Sequence, residues 1–201
     1  MIWTLPNFLT LLRILAAPAV GMMVVLGGPD QALWALLIFI LAALTDFLDG
    51  WIARAWRQHS AFGQMLDPIA DKAMVVVVLA ALASKPVNAT PVFLIPVLVI
   101  LMREVLISGL REFLGDVKLA VTRLAKWKTT LQLIAIGALL AEAPVMAADT
   151  QSTQEHAGQH AGWIAHWVGV ALLWLAALLT VATGWDYFRK ALPYIRAREG
   201  N

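Results

Sequence analysis

Four aspartates, Asp46, Asp49, Asp67 and Asp71, fall within 26 residues of a 201-residue chain that has eight aspartates in all. The sequence on either side of them is almost purely apolar. In helical geometry Asp46, Asp49, Gly50 and Ala53 step by three, one and three, which keeps them on one face, with Arg54 at its edge. Gly63, Asp67 and Asp71 step by four and four, again one face. A short turn at 56–62 is expected to join the two helices as a hairpin, so that the two faces meet and four carboxylates converge. Carboxylates at membrane depth repel one another, and each costs about 2.5–3.5 kcal/mol at a helix centre. Such a cluster needs cations. A ligand set of carboxylates suits hard ions, Mg²⁺ or Mn²⁺, and four of them can hold two metals about 4 Å apart for phosphoryl chemistry. Gly50, Ala53 and Gly63 leave room for a ligand beside the helix backbones. Pairing with Arg54, Arg57 and Lys72 at helix ends would account for one aspartate, but poorly for four on two stripes.

The elements that must position these residues are membrane helices. The chain is 61% hydrophobic and 14% charged, against about half and a quarter in soluble domains, and its mean hydropathy is +0.76. Six apolar runs are long enough to cross a bilayer: about 8–27, 31–55, 64–84, 91–113, 125–146 and 163–188. The expected fold is all-α, a polytopic six-transmembrane-helix bundle forming a single integral membrane catalytic domain over 1–201. GGPD at 27–30 and SKPVNATP at 84–91 read as tight turns, and Pro18 and Pro96 lie inside spans. Residues 147–162, rich in Gln, Gly, Thr and His, read as the one long loop. The N-terminus has no basic region or small-residue cleavage site, so its apolar run is expected to be a retained helix.

The absence of cysteine excludes thiol chemistry, disulfides and Cys-based zinc sites, and a net charge of +2 gives no reason to expect nucleic acid. Fourteen of the 15 basic residues fall on one side of the predicted spans or in the half-spans nearest it, with only Lys85 opposite. That bias puts both termini and the aspartates on the cytoplasmic side, and 147–162 outside. His156, His160 and His166 in the outer segment suit a metal only if helical. Gly158 and Gly162 favour a solvated loop instead.

The run Asp46-x2-Asp49-Gly50-x2-Ala53-Arg54-x8-Gly63-x3-Asp67-x3-Asp71 resembles the complete signature of the CDP-alcohol phosphotransferases, and the likeness in topology covers nearly the whole chain. The resemblance implies a six-helix membrane enzyme, commonly a homodimer, that displaces CMP from a CDP-linked donor, usually CDP-diacylglycerol, with an alcohol. It implies that Asp46, Asp49 and Asp67 ligate two divalent cations. Asp71 would also touch metal and act as general base on the acceptor hydroxyl. It further implies that Gly50, Ala53 and Gly63 let cytidine and diphosphate pack close, and that Arg54 pairs with the donor phosphate. Ser60 would sit at a nucleotide contact, although a solvated turn serine explains it as well. The family also begins with a Pro-Asn-x-x-Thr-x-x-Arg pattern, matched here by Pro6, Asn7, Thr10 and Arg13, which makes Asn7 and Thr10 donor-site candidates. Asn7 also reads as a helix N-cap and Arg13 as a snorkelling anchor.

The alcohol is addressed by a second cluster. In REVLISGLRE, residues 103–112, Arg103, Glu104, Ile107, Ser108, Arg111 and Glu112 make one stripe, and Arg123, Lys126 and Lys128 follow. Positive-inside anchoring suffices for Lys118 and Arg123 but serves Arg103 poorly, about two turns inside a span. Cations beside an acidic site suit a phosphate on the acceptor, bound by Arg103, Ser108, Arg111, Lys126 and Lys128. This stretch and the Lys-x-Lys-Thr segment resemble the family's phosphatidylglycerophosphate synthases, as do Thr183, Asp186 and Tyr187. The implied acceptor is sn-glycerol 3-phosphate and the implied location a bacterial inner membrane. Interfacial aromatic belts account for the C-terminal residues without assigning them chemistry. Inositol phosphate fits the same cations. A cation transporter would instead distribute acidic residues across the bilayer, and here they gather at one end.

Overall fold

The structure is a computed structural model. It describes the backbone over residues 5–55, 61–115, 123–149 and 155–199; side chains at 5–6, 29, 47–55, 61, 64, 67, 123, 125–126, 148–149, 155–159 and 197–199 lie outside the description. All regular structure among the described residues is helical: α1 (Leu5–Leu26), α2 (Pro29–Ala55), α3 (Ala61–Ala83), α4 (Pro91–Leu114), α5 (Arg123–Asp149) and α6 (Glu155–Glu199), with a 3₁₀ turn at Pro86–Asn88. The six predicted runs each fall on one helix. Among the described residues, four stretches, Asn7–Leu26, Pro91–Leu114, Trp127–Ala147 and His160–Arg196, are long and apolar enough to cross a membrane.

The turns follow their glycines and prolines. Gly27 and Gly28 have φ of 73° and 94°, values only glycine adopts freely, and Pro29 then opens α2. In the second turn Asn88 Nδ2 donates to Leu82 O at 2.8 Å, and Pro91 opens α4.

The segment 147–162 is not a long loop. α5 runs to Asp149 and α6 begins at Glu155, leaving 150–154 outside the described residues. Glycine weakens a helix by only about 1 kcal/mol, which packing can offset. Gly162 is buried, and a side chain there would run into Met146 and the Glu142 carbonyl of α5. Its lack of a Cβ therefore serves close helix packing. At 45 residues, α6 is about 67 Å long, roughly twice a hydrocarbon core, so it extends beyond the span predicted at 163–188.

The helices form a closed ring in the order α3, α1, α2, α5, α6, α4, with α3 also touching α5 across it. α1 packs extensively on both α2 and α3, which share few contacts with each other among the described residues. Small residues allow this. A Cβ on Gly21 of α1 would lie 2.6 Å from Val77 of α3, and Ala17, Ala35 and Ala42 are buried at the neighbouring contacts. Polarity is inverted relative to a soluble protein. Leu12, Leu15, Leu98, Met102 and Leu178 point outward, while Asn7, Thr10, Arg13, Lys128 and Gln132 are buried. Apolar residues outside and polar groups inside are what lipid demands.

Candidate active site

One end of the ring collects charge from five helices. Asn7, Thr10 and Arg13 step by three along the buried face of α1. α1 is already helical at Leu5, so Asn7 lies in the first turn and not at the cap. Arg13 is not a snorkelling anchor: its side chain is 4% exposed and turned inward. Its Nη1 is ion-paired with Asp46 of α2 and lies 3.1 Å from Asp71 Oδ1 of α3. One guanidinium thus joins a carboxylate from each aspartate stripe. Guanidinium is the natural partner for this, because its several donors are fixed in a plane.

Arg13, Asp46 and Asp71 line a cavity of about 50 Å³ together with Phe39, Ala42, Met74 and Thr129 of α5. Asp46 and Asp71 are about half exposed, so their free edges reach solvent. Gly63 is buried on α3 at the register of Asp71. Asp49, Gly50, Ala53, Arg54 and Asp67 lie on described helix backbone at the expected spacings, but their side chains are outside the description, as is Ser60 altogether. Two of the four carboxylates are therefore seen to converge, and they converge on an arginine.

A second cluster adjoins the first. Lys72, next to Asp71, donates from Nζ to Ser108 Oγ of α4, and that hydroxyl in turn donates to the Glu104 carbonyl. The Glu104 carboxylate receives Arg103 Nη1 at 3.2 Å and Lys128 Nζ of α5, both at Oε1. All three side chains are largely buried. Arg111 is exposed, with its guanidinium carbon 5.5 Å from the centroid of the Tyr187 ring of α6. Of the predicted acceptor residues, Arg103, Ser108 and Lys128 belong to one network, Arg111 borders it, and the Lys126 side chain is outside the description. Lys72, Glu104 and Tyr187, which the sequence reading names without a role in the site, join them here. Each had a signal: Lys72 adjoins Asp71, Glu104 lies on the Arg103–Arg111 stripe, and Tyr187 follows Asp186 in TGWDYFRK.

The histidines of this segment differ from the solvated loop expected. His166 is partly buried with Nδ1 3.0 Å from Glu142 Oε2, linking α6 to α5, while His160 is exposed on α6. The His156 side chain is outside the description.

Comparison with known proteins follows the same lines. The profile of the CDP-alcohol phosphatidyltransferase family matches residues 3–182. A protein of Cereibacter sphaeroides named CDP-diacylglycerol–glycerol-3-phosphate 3-phosphatidyltransferase is 48% identical over 219 aligned positions, covering 98% of this chain and 99% of its own. Proteins of the same name from Rickettsia bellii and Pectobacterium atrosepticum are 41% and 33% identical over 94% and 95% of this chain and 96% of their own. On the match of its aspartate signature, helices and length, this all-helical membrane chain belongs to the CDP-alcohol phosphatidyltransferase family.

Proposed function

We propose that the chain transfers a phosphatidyl group from CDP-diacylglycerol to sn-glycerol 3-phosphate, giving phosphatidylglycerophosphate and CMP. The observation that carries this reading is the direct link from the aspartate stripe to a buried cationic cluster, through Lys72 and Ser108. An acceptor that brings its own phosphate needs such cations beside the reacting centre. The names of the full-length relatives support the same reaction.

The donor chemistry belongs to the aspartates. Hard carboxylate oxygens from two helices gather within reach of one positive group, a donor set that fits divalent cations. Asp46, Asp49, Asp67 and Asp71 would hold Mg²⁺ or Mn²⁺, which when bound neutralises charge on the diphosphate and on departing CMP. Gly50, Ala53 and Gly63 would admit the nucleotide, with Arg54 on its phosphate and Asn7, Thr10 and Ser60 beside it. Asp71 would take the proton of the acceptor hydroxyl as that oxygen attacks the donor phosphorus. Arg103, Arg111, Lys126 and Lys128 would bind the acceptor phosphate and so fix the hydroxyl near Asp71, where positioning supplies much of the rate. Six spans with both termini and the site on the cytoplasmic side, in a homodimer, complete the proposal. The basic residues gathered at that end support this orientation.

The test is direct. Purified protein with CDP-diacylglycerol and labelled glycerol 3-phosphate should yield labelled lipid and CMP in equal amounts, and only with a divalent cation. Product from inositol phosphate but none from glycerol 3-phosphate would overturn the acceptor assignment and leave the donor chemistry standing.

A further inference from the structure

We propose that Glu104 is a positioning residue for the acceptor: its carboxylate holds Lys128, with Arg103 on the same oxygen, in the place where the acceptor's phosphate takes them. This rests on the reading above that the acceptor carries a phosphate.

Three observations carry it. First, Lys128 Nζ and Arg103 Nη1 meet on the single oxygen Oε1, with side chains only 6%, 12% and 17% exposed for Lys128, Glu104 and Arg103. Two buried cations converging without an anion would repel and turn apart; Glu104 keeps them convergent. Second, α4 and α5 scarcely touch elsewhere among the described residues, so this pair is not a by-product of helix packing. A buried ion pair contributes little to stability compared with apolar residues of the same size, so a pair set between two otherwise separate helices calls for another role. Third, Arg103 Nε is buried and has no hydrogen-bond partner among the described residues. Buried donors are nearly always satisfied, so the hydrogen bonding of Arg103 is incomplete without a further acceptor.

The backbone that carries this carboxylate is anchored as well. Ser108 Oγ donates to the Glu104 backbone carbonyl one turn back along α4 and receives Lys72 Nζ from α3. The turn of α4 that bears Glu104 is thus tied to the helix that carries Asp71. A phosphate that exchanges with Glu104 at Lys128 meets two fixed positive charges at a set distance from the base.

The experiment uses the full chain in detergent with initial rates against both substrates. Glu104→Gln keeps the shape and removes the charge. Its KM for glycerol 3-phosphate should rise about tenfold or more, with kcat within about threefold and the CDP-diacylglycerol KM within about twofold. Glu104→Asp should recover part of the loss. The effect should run largely through Lys128: the acceptor KM of Glu104→Gln/Lys128→Met should rise clearly less than the product of the two single effects. An unchanged acceptor KM in Glu104→Gln, an equal rise for both substrates, or full additivity in the double variant would each overturn the proposal. If Glu104→Gln does not fold, the apolar pair Glu104→Met/Lys128→Met takes its place, compared with Lys128→Met in the same way. Wild-type protein that uses a different phosphorylated alcohol would sink the glycerol 3-phosphate assignment, and the same comparison with that alcohol then decides Glu104. An acceptor without phosphate would overturn both.

Discussion

Arg13 Nη1 lies 3.1 Å from Asp71 Oδ1, and the same nitrogen is paired with Asp46, so a buried cation from α1 sits between the two aspartate helices. Its removal should have two separable consequences. Charge-assisted hydrogen bonds contribute about 1.5–3 kcal/mol each, so Arg13→Gln should lose about 2 kcal/mol of stability, seen as a lower thermal midpoint in detergent. With one positive charge gone, the carboxylates attract external cations more strongly. The Mn²⁺ concentration for half-maximal rate should therefore fall even as kcat falls. An unchanged or higher Mn²⁺ requirement would argue against Arg13 as a counterion of the metal site.

Asp71→Asn keeps size and much of the hydrogen bonding but can no longer accept a proton. Transfer to glycerol 3-phosphate should drop by about 100-fold or more, since general-base assistance is worth about 10²–10⁴. Binding of CDP-diacylglycerol, followed by equilibrium dialysis of the labelled nucleotide lipid, should change far less. Activity within a few-fold of wild type would remove Asp71 from the base role.

The helices were legible because membrane spans announce themselves: length and apolar content placed six runs, each on one observed helix. The two aspartate stripes were legible because spacing of three and four is local information. What spacing could not convey is which helix faces which. α1 packs on both α2 and α3, and it is this packing that brings Arg13 to Asp46 and Asp71. Glu104 was hidden for a similar reason: its partner Lys128 is 24 positions away on another helix. The glycines of 147–162 predict a loop, whereas at Gly162 the missing Cβ is what lets α6 approach α5.

Tyr187 offers its ring, 5.5 Å from the Arg111 guanidinium carbon, at the rim of the cationic cluster. An exposed cation–π contact is worth about 0.5–1 kcal/mol, so Tyr187→Leu should raise the acceptor KM only about two- to fivefold. Tyr187→Phe keeps the π face and should stay near wild type. If the two variants lose equally, the hydroxyl and not the ring is what matters, and the contact with Arg111 has no part in acceptor binding.

Two glycines on different helix faces should respond oppositely to alanine. A Cβ on Gly169 of α6 would stand 2.7 Å from Leu139 Cγ and 3.2 Å from the Leu139 backbone nitrogen of α5. The backbone cannot yield as a side chain can, so Gly169→Ala should cost about 1–3 kcal/mol by forcing α5 and α6 apart. Gly109 of α4 is exposed and has nothing within 4 Å of a would-be Cβ. There the only change is the lost flexibility of a mid-helix glycine, so Gly109→Ala should gain about 0.5–1 kcal/mol. Thermal unfolding of both variants in the same detergent gives the comparison. Opposite signs of the midpoint shift support the α5–α6 packing, whereas a stable Gly169→Ala protein would mean that these helices lie farther apart than the structure has them.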